Sequence, residues 1–186
     1  MKSIWRQRYK PLLEKIVHRK EQVNDFLDIL ENKTNWLTAP ASTIYHLDRE
    51  GGLIEHSISV TKTLLKLKSV LAPEISDESC VITGLFHDVG KVGLPGKPYY
   101  IKLRTPTRNG KKYIINRELA TMGVATRSLM LISKYISLSE DEAQAIAYHD
   151  GQYIPEGRTI AHKEKALTLL IHYADYWTAH ILERNE

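Results

Sequence analysis

Ser76-Asp77-Glu78-Ser79-Cys80-Val81-Ile82-Thr83-Gly84-Leu85-Phe86-His87-Asp88-Val89-Gly90-Lys91 is the stretch on which the fold turns. Ser76 is placed to cap a helix whose apolar residues are Val81, Ile82, Leu85 and Phe86. That helix delivers His87 and Asp88 at its C-terminal end, and Gly90 is placed to stop it. A hydrophobic core seldom accepts a histidine beside a carboxylate, because a buried charge is costly unless paired or metal-bound. Imidazole nitrogen and carboxylate oxygen together suit manganese, iron, cobalt, nickel or zinc.

Working outward, the same helical period governs most of the chain. Apolar residues from Leu12 to Leu30 recur at three- and four-residue spacings, which predicts an N-terminal helix over about 3–31. Gly51-Gly52 precedes a helix whose inward stripe is His56, Val60, Leu64 and Leu67. Residues 119–136 resume the period. Ser139 and Glu142 then form a capping box for a helix that leads to His149 and is stopped by Gly151. A last helix is expected from about 162 to 182, where Asp175 follows Leu169-Leu170-Ile171 and Ala174. A carboxylate on that apolar helix has no Arg or Lys nearby to pair with. One metal would account for His56, His87-Asp88, His149 and Asp175 together.

Residues 98–116 depart from the pattern. Tyr99 to Leu103 and Lys112 to Ile115 are β-prone, and Asn109-Gly110 between them is a hairpin signal. The expected fold class is therefore all-α, a helical bundle in one domain over residues 1–186, with a small β-hairpin or flap near 98–116.

The chain has 186 residues, 42% hydrophobic and 26% charged, ordinary for a globular protein. Its one cysteine, Cys80, excludes a disulfide framework. The first residues lack a signal peptide's apolar run, and no stretch approaches the roughly 20 apolar residues of a membrane span. A cytoplasmic location is expected. The net charge of +4 is concentrated: Lys97, Lys102, Arg104, Arg108, Lys111, Lys112 and Arg117 lie in one acid-free segment. Such a segment is either a solubilising loop or a phosphate-attracting rim. His18, His162 and His180 sit among polar neighbours and are expected at the surface. His172, one turn before Asp175, is either an orienting partner or a core histidine. His46 is either a substrate contact or a plain loop histidine.

These residues resemble the HD-domain phosphohydrolase superfamily. Gly51-Gly52-Leu53-Ile54-Glu55-His56-Ser57, His87-Asp88-Val89-Gly90-Lys91 and Tyr173-Ala174-Asp175 match its segments in order, over a family-like core of about 45–180. The resemblance implies His56, His87, Asp88 and Asp175 as metal ligands, with His149 matching a further histidine. It implies one divalent transition metal, with magnesium also possible. Val124 stands where two-metal members carry a histidine. Lys91 stands where 5′-deoxynucleotidase-like members tend to carry glutamate, which favours phosphodiesters or other phosphorylated nucleotides. The implied activity is metal-dependent hydrolysis of a phosphate ester in a nucleotide or oligonucleotide. Asp88, Lys91, His149 and Asp150 are then the catalytic candidates, and His46, Lys91, Lys102, Arg104 and Arg108 the substrate-binding ones. The rivals are a decayed nucleotide-binding module and a nucleic-acid-binding protein using the basic 97–117 flap. The second rival predicts affinity that falls steeply with salt.

Overall fold

The computed structural model describes residues 2–184, which form eight α-helices and one two-stranded antiparallel sheet. Two of the helices, α1 (Lys2–Leu13) and α2 (Lys20–Lys33), stand where one N-terminal helix was expected. The break has a tertiary cause. The backbone N–H groups of Val17 and His18 donate to Glu78 Oε2, at 2.6 and 2.8 Å, instead of continuing a helical ladder. Arg19 completes the junction. Its guanidinium donates to Glu78 Oε1 at 2.7 Å, to both carboxylate oxygens of Glu142 at 2.6 and 2.7 Å, and to the Ser137 carbonyl.

The central pair is α3 (Gly52–Leu71) and α4 (Asp77–Phe86). Ser76 caps α4, accepting from the Ser79 N–H as its position implied. Leu53, Ile54 and Ile58 of α3 meet Val81, Ile82, Leu85 and Phe86 of α4 in the main core, which α2 closes with Phe26 and Leu30. Phe26 meets the Phe86 ring edge-on at 5.1 Å, a favoured geometry for paired aromatics. A second apolar cluster joins Val60 and Leu64 to Leu167, Leu170, Ile171 and Ala174.

Gly90 does not end α4. A 3₁₀ turn, Val89–Val92, follows the His87-Asp88 pair and contains Gly90. Its job is close approach: a Cβ on Gly90 would lie 2.2 Å from the Val124 carbonyl oxygen, and its N–H donates to Ser128 Oγ at 2.8 Å. The turn carrying Asp88 and Lys91 is thereby seated on α5 (Val124–Ile132).

The α5 helix starts later than its period suggested. Buried Arg127 donates to the Ala120 carbonyl and lies 4.9 Å over the Tyr99 ring, folding 120–123 back as irregular chain. The flap is a real hairpin, β1 (Tyr100–Lys102) paired with β2 (Tyr113–Ile115). Its tip is a three-residue loop, with Gly110 at φ +78° and the Gly110 N–H donating to Thr107 O. That is a type I turn followed by a left-handed residue, not a two-residue turn.

The remaining helices are α6 (Glu140–Ala147), α7 (Pro155–Arg158) and α8 (Ala166–Trp177). The expected capping box at Ser139 and Glu142 opens α6. The last helix begins at 166 rather than 162, its first turn tied down by Lys165 N–H to Gln144 Oε1. It continues into a π-helical turn, Thr178–Leu182. Among the described residues no helix is long and apolar enough to cross a membrane.

Burial pushes the Glu78 and Glu142 carboxyls up, but the Arg19 hydrogen bonds outweigh it and hold both below the usual glutamate range. Removing Arg19 would leave two buried carboxylates without their cation. Arg19→Met should therefore lower the unfolding free energy by about 3 kcal/mol at pH 7, seen as a lower urea midpoint. Carboxylates held low in the folded state stabilise it above their unfolded pKa. The difference from wild type should thus shrink as pH falls below about 4.

Candidate metal centre

Four elements deliver five ligand-type side chains to one point. His56 comes from the second turn of α3, His87 and Asp88 from the end of α4, His149 from just past α6, and Asp175 from α8. All but Asp175 are buried, and Asp175 is partly so. His56 Nε2 lies 3.0 Å from Asp175 Oδ1 and 3.9 Å from Asp88 Oδ2. Asp88 Oδ2 is also 3.7 Å from His87 Nε2, while Asp88 Oδ1 is 3.6 Å from His149 Nε2. Two overlapping sets, His56–His87–Asp175 and His87–Asp88–His149, each keep their ligand atoms within 4.8 Å of one another.

The outer nitrogens explain why all three rings face inward. His87 Nδ1 is 2.9 Å from the Gly84 carbonyl and His149 Nδ1 is 2.9 Å from the Ile146 carbonyl. A carbonyl only accepts, so each Nδ1 carries the proton and each Nε2 is left as the inward-facing donor atom. His56 lies inside a helix, where the backbone carbonyls serve the helical ladder. Its Nδ1 instead donates to Glu183 Oε2 at 2.8 Å. Carboxylate or carbonyl partners of this kind fix ring orientation and raise the basicity of a metal-binding imidazole.

His87 Nε2 decides the fit. It is completely buried and has no hydrogen-bond partner, yet it points at Asp88 and Asp175. An orphaned buried nitrogen facing two carboxylates is what a cation site requires, and the donor set of imidazole and carboxylate fits a divalent metal.

The electrostatics agree. Burial pushes Asp88 up, but Lys91, His149 and His87 outweigh it and hold it well below the carboxylate range. Burial likewise opposes the charge on Asp175, and His56 overcomes it. Burial disfavours the His56 imidazolium, yet Asp175 and Glu183 lift its pKa to about 10. His149 rises to about 9 because Asp88 and Asp150 overcome its burial. The negative centre draws protons onto these rings, and a divalent cation answers the same field by displacing them. His87, buried and flanked by other imidazoles, drops to about 4 and stays neutral.

A cleft of about 240 Å³ opens above this centre. Lys91 and His46 line it, as does Asp150, whose carboxylate is 45% exposed and 3.8 Å from His149 Nε2. The Lys91 ammonium donates to Asp88, and the His46 ring lies 4.9 Å from that of His56. His172 borders the cleft, and its Nδ1 donates to the His149 carbonyl at 2.8 Å, an orienting contact. His18, His162 and His180 are exposed, but His180 also forms part of the cleft wall.

The structure does not bring the basic flap into the cleft. Lys102, Arg104 and Arg108 are exposed and are absent from its lining. Burial pushes the phenol of Tyr100, the first residue of β1, up to about 12. Glu183, Tyr153 and Tyr176 were not anticipated from sequence. Glu183 lies in a polar C-terminal stretch that looks solvated, and only its 6% side-chain exposure and the His56 contact reveal it.

Elemental analysis tests the ligand set directly. Asp88→Ala should lose bound metal, whereas Asp150→Ala should retain it. Glu183→Ala should weaken metal affinity about 10- to 100-fold without emptying the site at high metal, measured by chelator competition.

Comparison with known proteins gives an independent answer. The HD domain family model matches residues 53–179, from the first turn of α3 to just past the end of α8. Dihydroneopterin 2′,3′-cyclic phosphate phosphodiesterase of Methanocaldococcus jannaschii is 31% identical over 142 residues, 74% of this chain and 50% of that protein. The chain thus spans about half the length of that curated relative. No solved structure matches it. With its His87-Asp88 pair inside a match covering well over half its length, the chain belongs to the HD domain family.

Proposed function

We propose that this chain is a metal-dependent phosphohydrolase acting on a phosphate ester of a nucleotide or nucleotide-like small molecule. The observation that carries this is the orphaned His87 Nε2, buried among His56, Asp88, His149 and Asp175 at the floor of an open cleft. The Methanocaldococcus relative is named as a cyclic phosphate phosphodiesterase, which supports a phosphodiester as the preferred substrate.

His56, His87, Asp88 and Asp175 would hold one divalent cation, with His149 placed to join them rather than to act as a free acid or base. Manganese, iron, cobalt, nickel and zinc suit the donors, and magnesium is the oxygen-preferring alternative. When bound, such an ion supplies an acidified water and polarises a phosphoryl oxygen. The chain's own groups do the rest. Lys91, held in the cleft by Asp88, neutralises phosphate charge. Asp150 lies at the solvent side of His149 and exchanges the leaving-group proton at its carboxylate. Burial, then His56 and Lys91, lower His46 to about 4, so at neutral pH it offers a neutral imidazole to the substrate. Lys102, Arg104 and Arg108 attract the anion from outside the cleft rather than clamp it.

Manganese-loaded protein should release product from a nucleoside 2′,3′-cyclic phosphate in a chelator-sensitive manner. Lys91→Ala should lower kcat about 10²- to 10³-fold, while Arg104→Ala should raise KM modestly and more at low salt. Metal-loaded protein that hydrolyses no cyclic or linear nucleotide ester would overturn this assignment and leave a binding module.

A further inference from the structure

A second cavity, about 410 Å³, adjoins the metal cleft and shares Tyr153 and His172 with it as a common wall. Four rings line it, Tyr148, Tyr153, His172 and Tyr173, together with the polar side chains of Gln152 and Glu164. A ladder of rings runs along the metal cleft to the shared Tyr153. His180 lies 4.3 Å from Tyr176, and Tyr176 is stacked near-parallel on Tyr153 at 5.8 Å and 16°. Tyr153 and Tyr173 are 69% and 58% exposed, an unusual state for large rings beside a cavity. His172 donates to the His149 carbonyl, so the shared wall is fastened to the segment that carries a candidate ligand.

We propose that this cavity is the subsite for the heterocyclic part of the substrate, a planar ring that stacks on Tyr153 and offers N–H donors to Glu164. The proposal rests on the phosphohydrolase reading for its phosphate end, which the metal cleft would take. An aliphatic occupant fits poorly, since it would strip water from Glu164 without replacing its hydrogen bonds. A stacked base leaves that carboxylate paired at its edge. Among the described residues Glu164 makes no side-chain hydrogen bond or ion pair, and an ionised carboxylate only accepts. The matching edge is therefore one with adjacent N–H groups, such as a ring N–H beside an exocyclic amine. Guanine presents that edge, and uracil and adenine do not.

The test uses probes without phosphate, so that it is independent of hydrolysis. Guanosine, inosine, uridine and ribose are titrated into the full chain by ligand-observed NMR. Guanosine should bind at least tenfold more tightly than ribose, as base–aromatic stacking supplies, and more tightly than inosine, which lacks the exocyclic amine. Tyr153→Ala should abolish the preference over ribose and Tyr153→Phe should keep it. Tyr153 is a surface ring, and an unchanged melting temperature confirms that both variants fold. Glu164→Gln should bring guanosine level with inosine. Guanosine binding no tighter than ribose, or a preference that survives Tyr153→Ala, would overturn the proposal. Chains that bind guanosine but release no product from any ester would contradict the hydrolase assignment alone.

Discussion

Two carboxylates, Asp88 and Asp175, are held inside a helical protein, and the surrounding architecture follows from the need to balance them. Transfer of an unpaired carboxylate into a protein interior costs far more than any single hydrogen bond returns. Here three imidazoles and one ammonium are gathered from separate elements around that charge. The α3, α4 and α8 helices pack through apolar residues that are ordinary for a bundle. Their relative placement is what brings His56, His87 and Asp175 within reach of one ion.

The histidines are oriented by two devices. His87 and His149 both sit just beyond a helix end, and each donates its Nδ1 proton to the carbonyl three residues back. Helix termini leave such carbonyls unsatisfied, so the device is local and inexpensive. His56 sits within a helix and has no free local carbonyl. It recruits Glu183 from 127 residues away, which draws the C-terminal turn onto the site. The π-helical turn at Thr178–Leu182 lies between Asp175 and Glu183 and carries the chain from one to the other.

The cleft over these residues mixes two kinds of lining. Lys91 and Asp150 bring charge, and Tyr153, Tyr176 and His172 bring rings. The proposed ligand, a phosphate joined to a ring, would use both.

Much of this was legible in the chain itself. The caps at Ser76 and Ser139, the hairpin at 100–115 and the inward stripe carrying His56 are set by residues close in sequence, because capping and periodicity act over a few positions. The members of the cluster were legible too, since His87-Asp88 and Asp175 occur in apolar contexts that only pairing or a metal makes tolerable. Tertiary structure decided the remainder. Glu78 captures the Val17 and His18 amides and splits the N-terminal helix, a contact across about 60 residues that no local pattern encodes. Glu183 looks like any solvated acid until His56 is placed beside it. Lys102, Arg104 and Arg108 look like a phosphate clamp until the fold leaves them exposed and outside the lining of the cleft. Local codes specify which groups a segment carries; only the packed chain specifies which of them meet.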